Sequence, residues 1–264
     1  MFDFVLSSPG RVFLSLGGFD LYTYGIVVAL AILSGVLVSN SLANRFEVFS
    51  KDVFIDFSPW VILIGFLGAR LWYCAINAKF YLLSPISILN LRDGGISIHG
   101  AILGGLLGLI IYAKKNNLSI LKLCDFSAIG LALGQAIGRW GNFFNNEAFG
   151  LPKELGLKLF IPVENRPQEF LNVSYFHPTF LYECIADFCL FILLYRLLFL
   201  KKIKTGILTF LYLLLYSLIR FSIELIRIDS NLLVLGLPFP AFVSCIVFII
   251  SLIGLISVLT KVNN

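Results

Sequence analysis

One stretch, Gly138–Gly150, combines residue types that suit the recognition of a phosphate group. It carries an arginine, three asparagines and a glutamate among glycines that predict three turns. The forked guanidinium of Arg139 can donate two parallel hydrogen bonds to a phosphate, and an amide such as that of Asn142 can complete the oxygen contacts. An aromatic belt with a basic anchor at a membrane interface is the alternative. It explains Trp140 and the phenylalanines, but not the asparagines or Glu147.

A second group of polar residues recurs at helical spacing near the other end of the chain. Tyr216, Arg220, Glu224 and Arg227 follow one another at steps of 4, 4 and 3, which places them on one face of a helix. Two arginines and one glutamate leave a surplus of positive charge, and a phosphate is a natural counter-ion for it. A structural ion pair between Arg220 and Glu224 remains the alternative.

The chain has two histidines. His99 lies within Gly94–Ala101, where neighbouring glycines allow another backbone or a ligand to approach closely. In a dry pocket an imidazole can act as a general base near neutral pH, although a hydrogen-bonded core histidine explains this residue equally well. For His177, which opens His177–Glu183 ahead of an apolar run, a structural role is favoured.

These polar residues belong to a strongly apolar chain. Of its 264 residues, 59% are hydrophobic and only 13% are charged, whereas soluble domains average about 25% charged. This composition excludes a soluble enzyme, a disordered chain and a nucleic-acid-binding protein, and it predicts an all-α polytopic membrane protein. The cysteines show neither metal-type spacing nor a paired framework, so we interpret them as small hydrophobic residues. They are Cys74, Cys124, Cys184, Cys189 and Cys245.

Seven windows are long and apolar enough to cross a bilayer, which takes about 20 residues each. They cover approximately 21–42, 53–76, 96–113, 119–137, 178–199, 205–225 and 237–260. The first 20 residues lack a positive n-region and a small-residue cleavage site, which indicates a surface segment rather than a removable signal peptide. The only long connection, 138–177, is rich in proline and of mixed charge, so we expect a small folded arm there between spans four and five.

The basic residues predict the orientation of these spans. One side carries ten Lys and Arg against two acidic residues, Glu47 and Asp52, whereas the other side carries eight of each sign. The positive-inside rule therefore predicts that the N-terminus and the arm lie outside and the C-terminus lies in the cytoplasm. The ten inner residues are Arg45, Lys51, Lys114, Lys115, Lys122, Arg196, Lys201, Lys202, Lys204 and Lys261.

Ionisable residues within spans are costly and therefore informative about function. Asp56 and Asp125 lie close to inner loops, and we interpret both as structural caps or salt-bridge partners. The others are Arg70, Glu183, Asp187, Arg220 and Glu224. Together with His99 and Arg139, residues of five spans are expected to converge at headgroup level in the outer leaflet.

At this point the residues resemble a known family. The run Gly138–Gly150 matches, position for position, the signature G-R-x-G-N-F-x-N-x-E-x-x-G of the phosphatidylglycerol–prolipoprotein diacylglyceryl transferases. Gly94–Ala101, His177–Glu183, Tyr216–Arg227 and Tyr24-Gly25 look like its other blocks, so the resemblance extends along nearly the whole chain. It implies a seven-span enzyme of the bacterial plasma (inner) membrane that works at the outer leaflet. Such enzymes transfer diacylglyceryl from phosphatidylglycerol to the lipobox cysteine of a prolipoprotein, forming a thioether and releasing glycerol phosphate.

The resemblance also implies roles for individual residues. Arg139 and Arg220 would bind the phosphate of phosphatidylglycerol, Asn142, Glu147 and Gly150 would shape that site, and Tyr24 and His99 match residues needed for activity. We add Tyr216 and Glu224 to the substrate site because they share a helix face with Arg220. His99 is our candidate for the base that takes the thiol proton, since the nucleophile belongs to the substrate. No metal or organic cofactor is expected.

A transporter or flippase for an anionic lipid or solute is the rival hypothesis, using the same arginines as a binding site. Such proteins usually place their site at the bilayer midplane, on broken helices between internal repeats. The sequence shows no internal repeat and no midplane cluster, which favours the transferase.

Overall fold

The computed structural model describes residues 3–90, 94–200, 203–228 and 233–260. Some residues counted in the charge analysis lie outside these ranges. They are Arg92, Asp93, Lys201, Lys202, Asp229 and Lys261.

Eight α-helices account for most of the described chain, as the composition predicts. They are α1 (Thr23–Arg45), α2 (Val53–Ile76), α3 (Ala78–Leu83), α4 (Ile98–Lys115), α5 (Ile120–Asn145), α6 (Thr179–Leu198), α7 (Ile207–Glu224) and α8 (Phe239–Thr260). Short 3-10 helices occupy Pro85–Leu89, Val163–Asn165 and Gln168–Phe170. The strands are β1 (Phe4–Ser7), β2 (Val12–Leu16), β3 (Phe19–Tyr22), β4 (Leu157–Phe160), β5 (Tyr175–Phe176), β6 (Leu233–Val234) and β7 (Leu237–Pro238).

Among the described residues, six helices are long and apolar enough to cross a membrane: α1, α2, α4, α5, α7 and α8. The prediction of a polytopic, mainly α-helical membrane protein is therefore confirmed. Helix α6 has 20 residues, which is also a spanning length, but it carries Glu183, Asp187 and Arg196.

The helix that contains the predicted fourth span extends beyond the end predicted for that span, near residue 137. Helix α5 continues to Asn145, so Gly138 and Gly141 lie within the helix and not at turns. The aromatic residues at the end of α5 pack against the start of α6, because the rings of Trp140 and Phe143 lie 5.8 and 5.0 Å from that of Phe180. This packing supplies apolar contacts that extend the helix beyond the apolar window.

The chain forms two compact units. One comprises Met1–Val38 and Cys124–Asn264, and the other comprises Ser39–Leu123. In the first unit α7 packs against α6 and α8, and in the second α2 packs against α4.

The connection between α5 and α6 is folded within the first unit. Strand β4 pairs in parallel with β1 and antiparallel with β5, which makes a three-stranded sheet. Beneath it lies a cluster of buried side chains: Phe143, Phe149, Leu159, Ile161, Phe176 and Phe180. This cluster joins the end of α5 and the start of α6 to the sheet.

Of the two carboxylates expected to be structural, Asp56 and Asp125, the second caps a helix. The side chain of Asp125 accepts hydrogen bonds from the backbone N–H groups of Gly206 (2.6 Å) and Thr209 (2.8 Å), which caps the start of α7. Asp56 is exposed in the first turn of α2, where a negative charge interacts favourably with the helix dipole. In the second unit, hydrogen bonds from the amides of Asn40 and Asn44 hold the pKa of the Asp52 carboxyl below its ordinary value.

Candidate functional site: an arginine–carboxylate cluster

Three helices of the first unit bring five charged side chains together. Arg139 extends from α5, Glu183 and Asp187 from α6, and Arg220 and Glu224 from α7. We call these five residues the arginine–carboxylate cluster.

Glu183 lies between the two arginines. Its Oε1 is 2.5 Å from Nη2 of Arg139, and its Oε2 is 3.6 Å from Nη1 of Arg220. Arg220 also pairs with Glu224, at 2.6 Å and one helical turn away, whereas Asp187 lies 3.8 Å from Nε of Arg139. Two guanidinium groups from separate helices thus meet on a single anionic group.

The carboxylates of the cluster are more deeply buried than the arginines. Glu183, Asp187 and Glu224 are at most 1% exposed, while the side chains of Arg139 and Arg220 are 19% and 16% exposed. The cluster therefore presents its positive groups toward the accessible side. Among these five residues, formal charges give three negative groups against two positive ones, because α6 contributes two carboxylates. Helical spacing reveals which residues share a face, but not the side chains that a neighbouring helix contributes.

Tyrosines on α7 complete the cluster. The hydroxyl of Tyr216 accepts a hydrogen bond from Nη2 of Arg139 at 3.3 Å. Its ring stacks on that of Tyr212, whose own hydroxyl donates to Oε1 of Gln135 at 2.8 Å. The predicted common face thus holds for Tyr216, Arg220 and Glu224, but Arg227 lies beyond the end of α7.

Asn142, in the last turn of α5, is hydrogen bonded to Glu147 in the turn that follows the helix. The amide of Asn142 donates to Oε1 of Glu147 at 2.8 Å, and the backbone N–H of Glu147 donates to the carbonyl of Asn142 at 3.0 Å. Asn146 and Ala148 have positive φ angles of 55° and 56° in this turn. In the described part of the chain, neither Asn142 nor Glu147 forms an ion pair or hydrogen bond with the two arginines, so they support the site from one turn away.

Gly150 lies where the chain leaves this turn. Its N–H donates to the carbonyl of His177 at 2.9 Å, and it forms a β-bridge with Arg227. A Cβ atom at this position would lie 2.8 Å from the methyl groups of Ile226 and Thr179. Only glycine fits, and the backbone here joins the ends of α5, α6 and α7. His177 has the structural role expected of it, since its Nδ1 also lies 3.2 Å from the hydroxyl of Tyr182.

Tyr24 packs against the signature run. It lies at the start of α1, and a Cβ atom on Gly141 would be 2.7 Å from its ring. Because Gly141 has no Cβ atom, the ring of Tyr24 can approach α5 about half a helical turn beyond Arg139. The structure brings this sequence-predicted residue next to the helix that carries the phosphate-binding candidate.

His99 and Arg70 belong to the second unit. His99 is exposed in the first turn of α4. The Arg70 guanidinium is buried and donates five hydrogen bonds of 2.7–2.9 Å, all to backbone carbonyls, which leaves no N–H group for a phosphate. The accepting carbonyls belong to Ser87, Ile88, Asn90, Gly94 and Gly95. Arg70 was expected to belong to the polar group in the outer leaflet. In the structure it instead binds the backbone of 87–90 and 94–95, ahead of α4.

Sequence reasoning did not include Glu183 or Asp187 among the substrate-binding residues. Two signals mark this pair in the sequence: both carboxylates lie within a span, and their four-residue spacing places them on one face of α6. In the described residues, no three His, Cys, Asp or Glu side chains are arranged to hold a metal ion, and the five cysteines are free thiols.

Six membrane-length helices in the described part of the chain define a polytopic membrane protein, and its arginine–carboxylate cluster holds two partly exposed arginines from separate helices. Residues 11–257 match the family model of prolipoprotein diacylglyceryl transferase, and the chain belongs to this family. It is 44% identical over 235 residues to the phosphatidylglycerol–prolipoprotein diacylglyceryl transferase of Nostoc sp., an alignment that covers 87% of this chain and 83% of the relative. It is 41% identical over 256 residues to the enzyme of the same name from Synechococcus elongatus, with 95% and 88% covered.

Proposed function

We propose that this protein transfers the diacylglyceryl group of phosphatidylglycerol to the thiol of the lipobox cysteine of a prolipoprotein. The carbon–sulfur bond of a thioether forms, the bond between the glyceryl carbon and the phosphate oxygen breaks, and glycerol phosphate leaves. Membership of the transferase family supports this reaction. The observation that carries it is the convergence of Arg139 and Arg220 on one carboxylate, Glu183.

The geometry of Glu183 suggests how the phosphate binds. A carboxylate and a phosphodiester both present two oxygens that share negative charge, and a guanidinium fork matches either group. Arg139 and Arg220 approach from separate helices and stay partly exposed, so each can turn N–H groups toward a phosphate. When the carbon–oxygen bond breaks, negative charge grows on the leaving phosphate, and fixed positive groups at that place stabilise the transition state.

The nucleophile comes from the substrate. A thiol becomes a strong nucleophile only as the thiolate, and His99 takes its proton as general base. Tyr24, Tyr216 and Glu224 hold the arginines and the bound lipid in place. The turn formed by Asn142, Glu147 and Gly150 supports them, and no step requires a metal or an organic cofactor.

The membrane arrangement follows the same proposal. Helix α6 is the seventh span, because its two carboxylates, Glu183 and Asp187, have arginine partners within the bundle and so need not face lipid. The N-terminus and the folded connection between α5 and α6 face outward, and the C-terminus is cytoplasmic. The membrane is the bacterial plasma (inner) membrane. In this orientation the site is open to its outer leaflet.

The test is a reaction with defined components. Purified protein in detergent is mixed with phosphatidylglycerol and a lipobox peptide, and glycerol phosphate release is measured beside a matched peptide that has serine in place of cysteine. Release that requires the cysteine peptide supports the transferase. Equal release with both peptides, or lipid movement across vesicles without release, would contradict it.

A further inference from the structure

The three-stranded sheet of β1, β4 and β5 has two different edges. At the edge formed by β5, Phe176 makes a β-bridge with Pro152. The N–H of Lys153 also donates to the carbonyl of Tyr175 at 3.0 Å, so the chain that follows α5 covers this edge. At the other edge, β1 pairs with β4 on one side, and no strand in the described part of the chain pairs with its other side.

The register of β1 against β4 shows which backbone groups face the open side. Phe4 lies opposite Leu157, and its N–H donates to the carbonyl of Gly156 at 3.2 Å. In a parallel pair, every second residue of a strand bonds to its neighbour, and the residues between them point their N–H and C=O groups away from it. Val5 and Ser7 therefore direct both of their backbone groups toward the open edge.

This open edge is accessible and lacks the residues that usually protect an edge. Phe4 and Val5 are 66% and 49% exposed, and Ser7 is exposed as well. Sheet edges that must stay unpaired often carry charged side chains or proline, and the strand Phe4–Ser7 contains neither. Because open sheet edges do not occur in hydrocarbon, this edge lies outside the apolar layer of the membrane. An extended peptide can add to such an edge as a further strand.

Strand β1 is held firmly against the rest of the first unit. At its start, Asp3 forms an ion pair of 3.0 Å with Lys158. Just after its end, the hydroxyl of Ser8 donates to the carbonyl of Phe144 at 3.2 Å. Between them, the side chain of Leu6 packs against the buried aromatic cluster beneath the sheet. The edge is thus already in the shape that pairing requires, and only the peptide must be ordered when it binds.

The end of β1 contacts the helix that carries Arg139. Phe144, the partner of Ser8, lies five residues after Arg139 on α5, which is a rise of about 7.5 Å along the helix. An extended chain covers this distance in roughly two or three residues. A peptide whose cysteine lies at the arginine–carboxylate cluster therefore reaches Ser7 within a few residues. It then runs toward Phe4, antiparallel to β1.

We propose that β1 binds the segment of the prolipoprotein that follows the lipobox cysteine, and that this segment adds to the sheet as an antiparallel strand. This inference rests on the proposed function. The residues opposite Val5 and Ser7 exchange N–H···O hydrogen bonds with them. Such hydrogen bonds join main chain to main chain, so the edge accepts segments of different sequence. Strand β1 is a positioning element, because it holds the peptide without touching the reacting atoms.

The first test methylates the backbone of the peptide. A lipobox peptide is extended by about eight residues beyond the cysteine, enough to cover the approach and β1, and each added residue in turn receives an N-methyl group. Only every second N–H of a strand faces its partner, so the KM for the peptide should rise at alternate positions along β1. We expect a rise of roughly 2- to 12-fold for each lost hydrogen bond, with little change in kcat. Equal KM values, or a rise without alternation, would overturn the proposal.

The second test removes a donor from the protein. Proline has no N–H, but the N–H of Val5 faces the open edge, so V5P keeps the hydrogen bonds of β1 to β4. V5P should raise the KM for the peptide and leave the KM for phosphatidylglycerol unchanged. The matched control is V5T, which keeps the N–H and a β-branched side chain and should retain both KM values.

The outcomes separate this inference from the proposed function. A peptide KM that V5P leaves unchanged overturns the role of β1. Loss of dimers in V5P at an unchanged KM would overturn it too, and would assign the edge to a second copy of the chain. If V5P does not fold, the methylation series with the unaltered protein decides. Turnover that ignores the peptide backbone beyond the cysteine rejects only this inference, whereas no turnover with any cysteine peptide rejects the proposed function with it.

Discussion

Replacing either arginine of the cluster with lysine keeps the positive charge but removes the forked guanidinium group. The variants R139K and R220K should therefore each lose most activity. Arg139 uses two of its nitrogens at once, Nη2 toward Glu183 and Tyr216 and Nε toward Asp187. A lysine ammonium provides one compact charge on a flexible stem and cannot reproduce this arrangement.

The size of the effect follows from the hydrogen bonds that the lysine cannot form. One charge-assisted hydrogen bond contributes about 1.5–3 kcal/mol, which corresponds to a rate loss of roughly 10- to 150-fold. A hydrogen bond that tightens as the phosphate leaves acts mainly on kcat, so the fall in kcat should exceed the change in KM. Purified variants are assayed for glycerol phosphate release with phosphatidylglycerol and a lipobox peptide.

Arg166 offers the matched control. It also uses two nitrogens, but it donates them to the carbonyls of Ile161 and Leu171 within the connection between α5 and α6. R166K should lose little activity although it undergoes the same chemical change. Near-normal rates in R139K or R220K would mean that the arginine is only an anchor, and the phosphate site must then be sought elsewhere.

Three further predictions concern the base, the orientation and the glycine packing. H99Q should bind lipid normally but turn over slowly, and it should recover in part as pH rises, because free thiolate then forms without a base. In a cysteine-free background, K115C should react with an impermeant thiol reagent only in permeabilised cells, whereas E164C should react in intact cells. G150A should lower the unfolding temperature, because overpacking of this kind costs about 1–3 kcal/mol. G138A should not, since its Cβ atom would meet nothing within 4 Å.

Each of these predictions has a result that contradicts it. A pH profile of H99Q that parallels the unaltered enzyme would assign His99 to structure. Labelling of K115C in intact cells would reverse the orientation. Equal unfolding temperatures for the two glycine variants would mean that the backbone around Gly150 relaxes easily.

The helices could be predicted from the sequence because each apolar window reports local composition, which is what drives a segment into a bilayer. The end of α5 could not, since the packing of Trp140 and Phe143 against Phe180 joins residues far apart in the chain. The site shows the same division. The shared face of Arg220 and Glu224 follows from helical period, whereas the pairing of Arg139 with Glu183 depends on how separate helices pack.

The five hydrogen bonds of Arg70 have a consequence for how this region can vary. The guanidinium binds only main-chain oxygens, so it does not depend on the side chains at Ser87, Ile88 or Asn90. Changing the side chain of Ile88 would therefore leave its hydrogen bond to Arg70 in place. The backbone conformation at 94–95 depends instead on Arg70 and on the positive φ angles of Gly94 and Gly95.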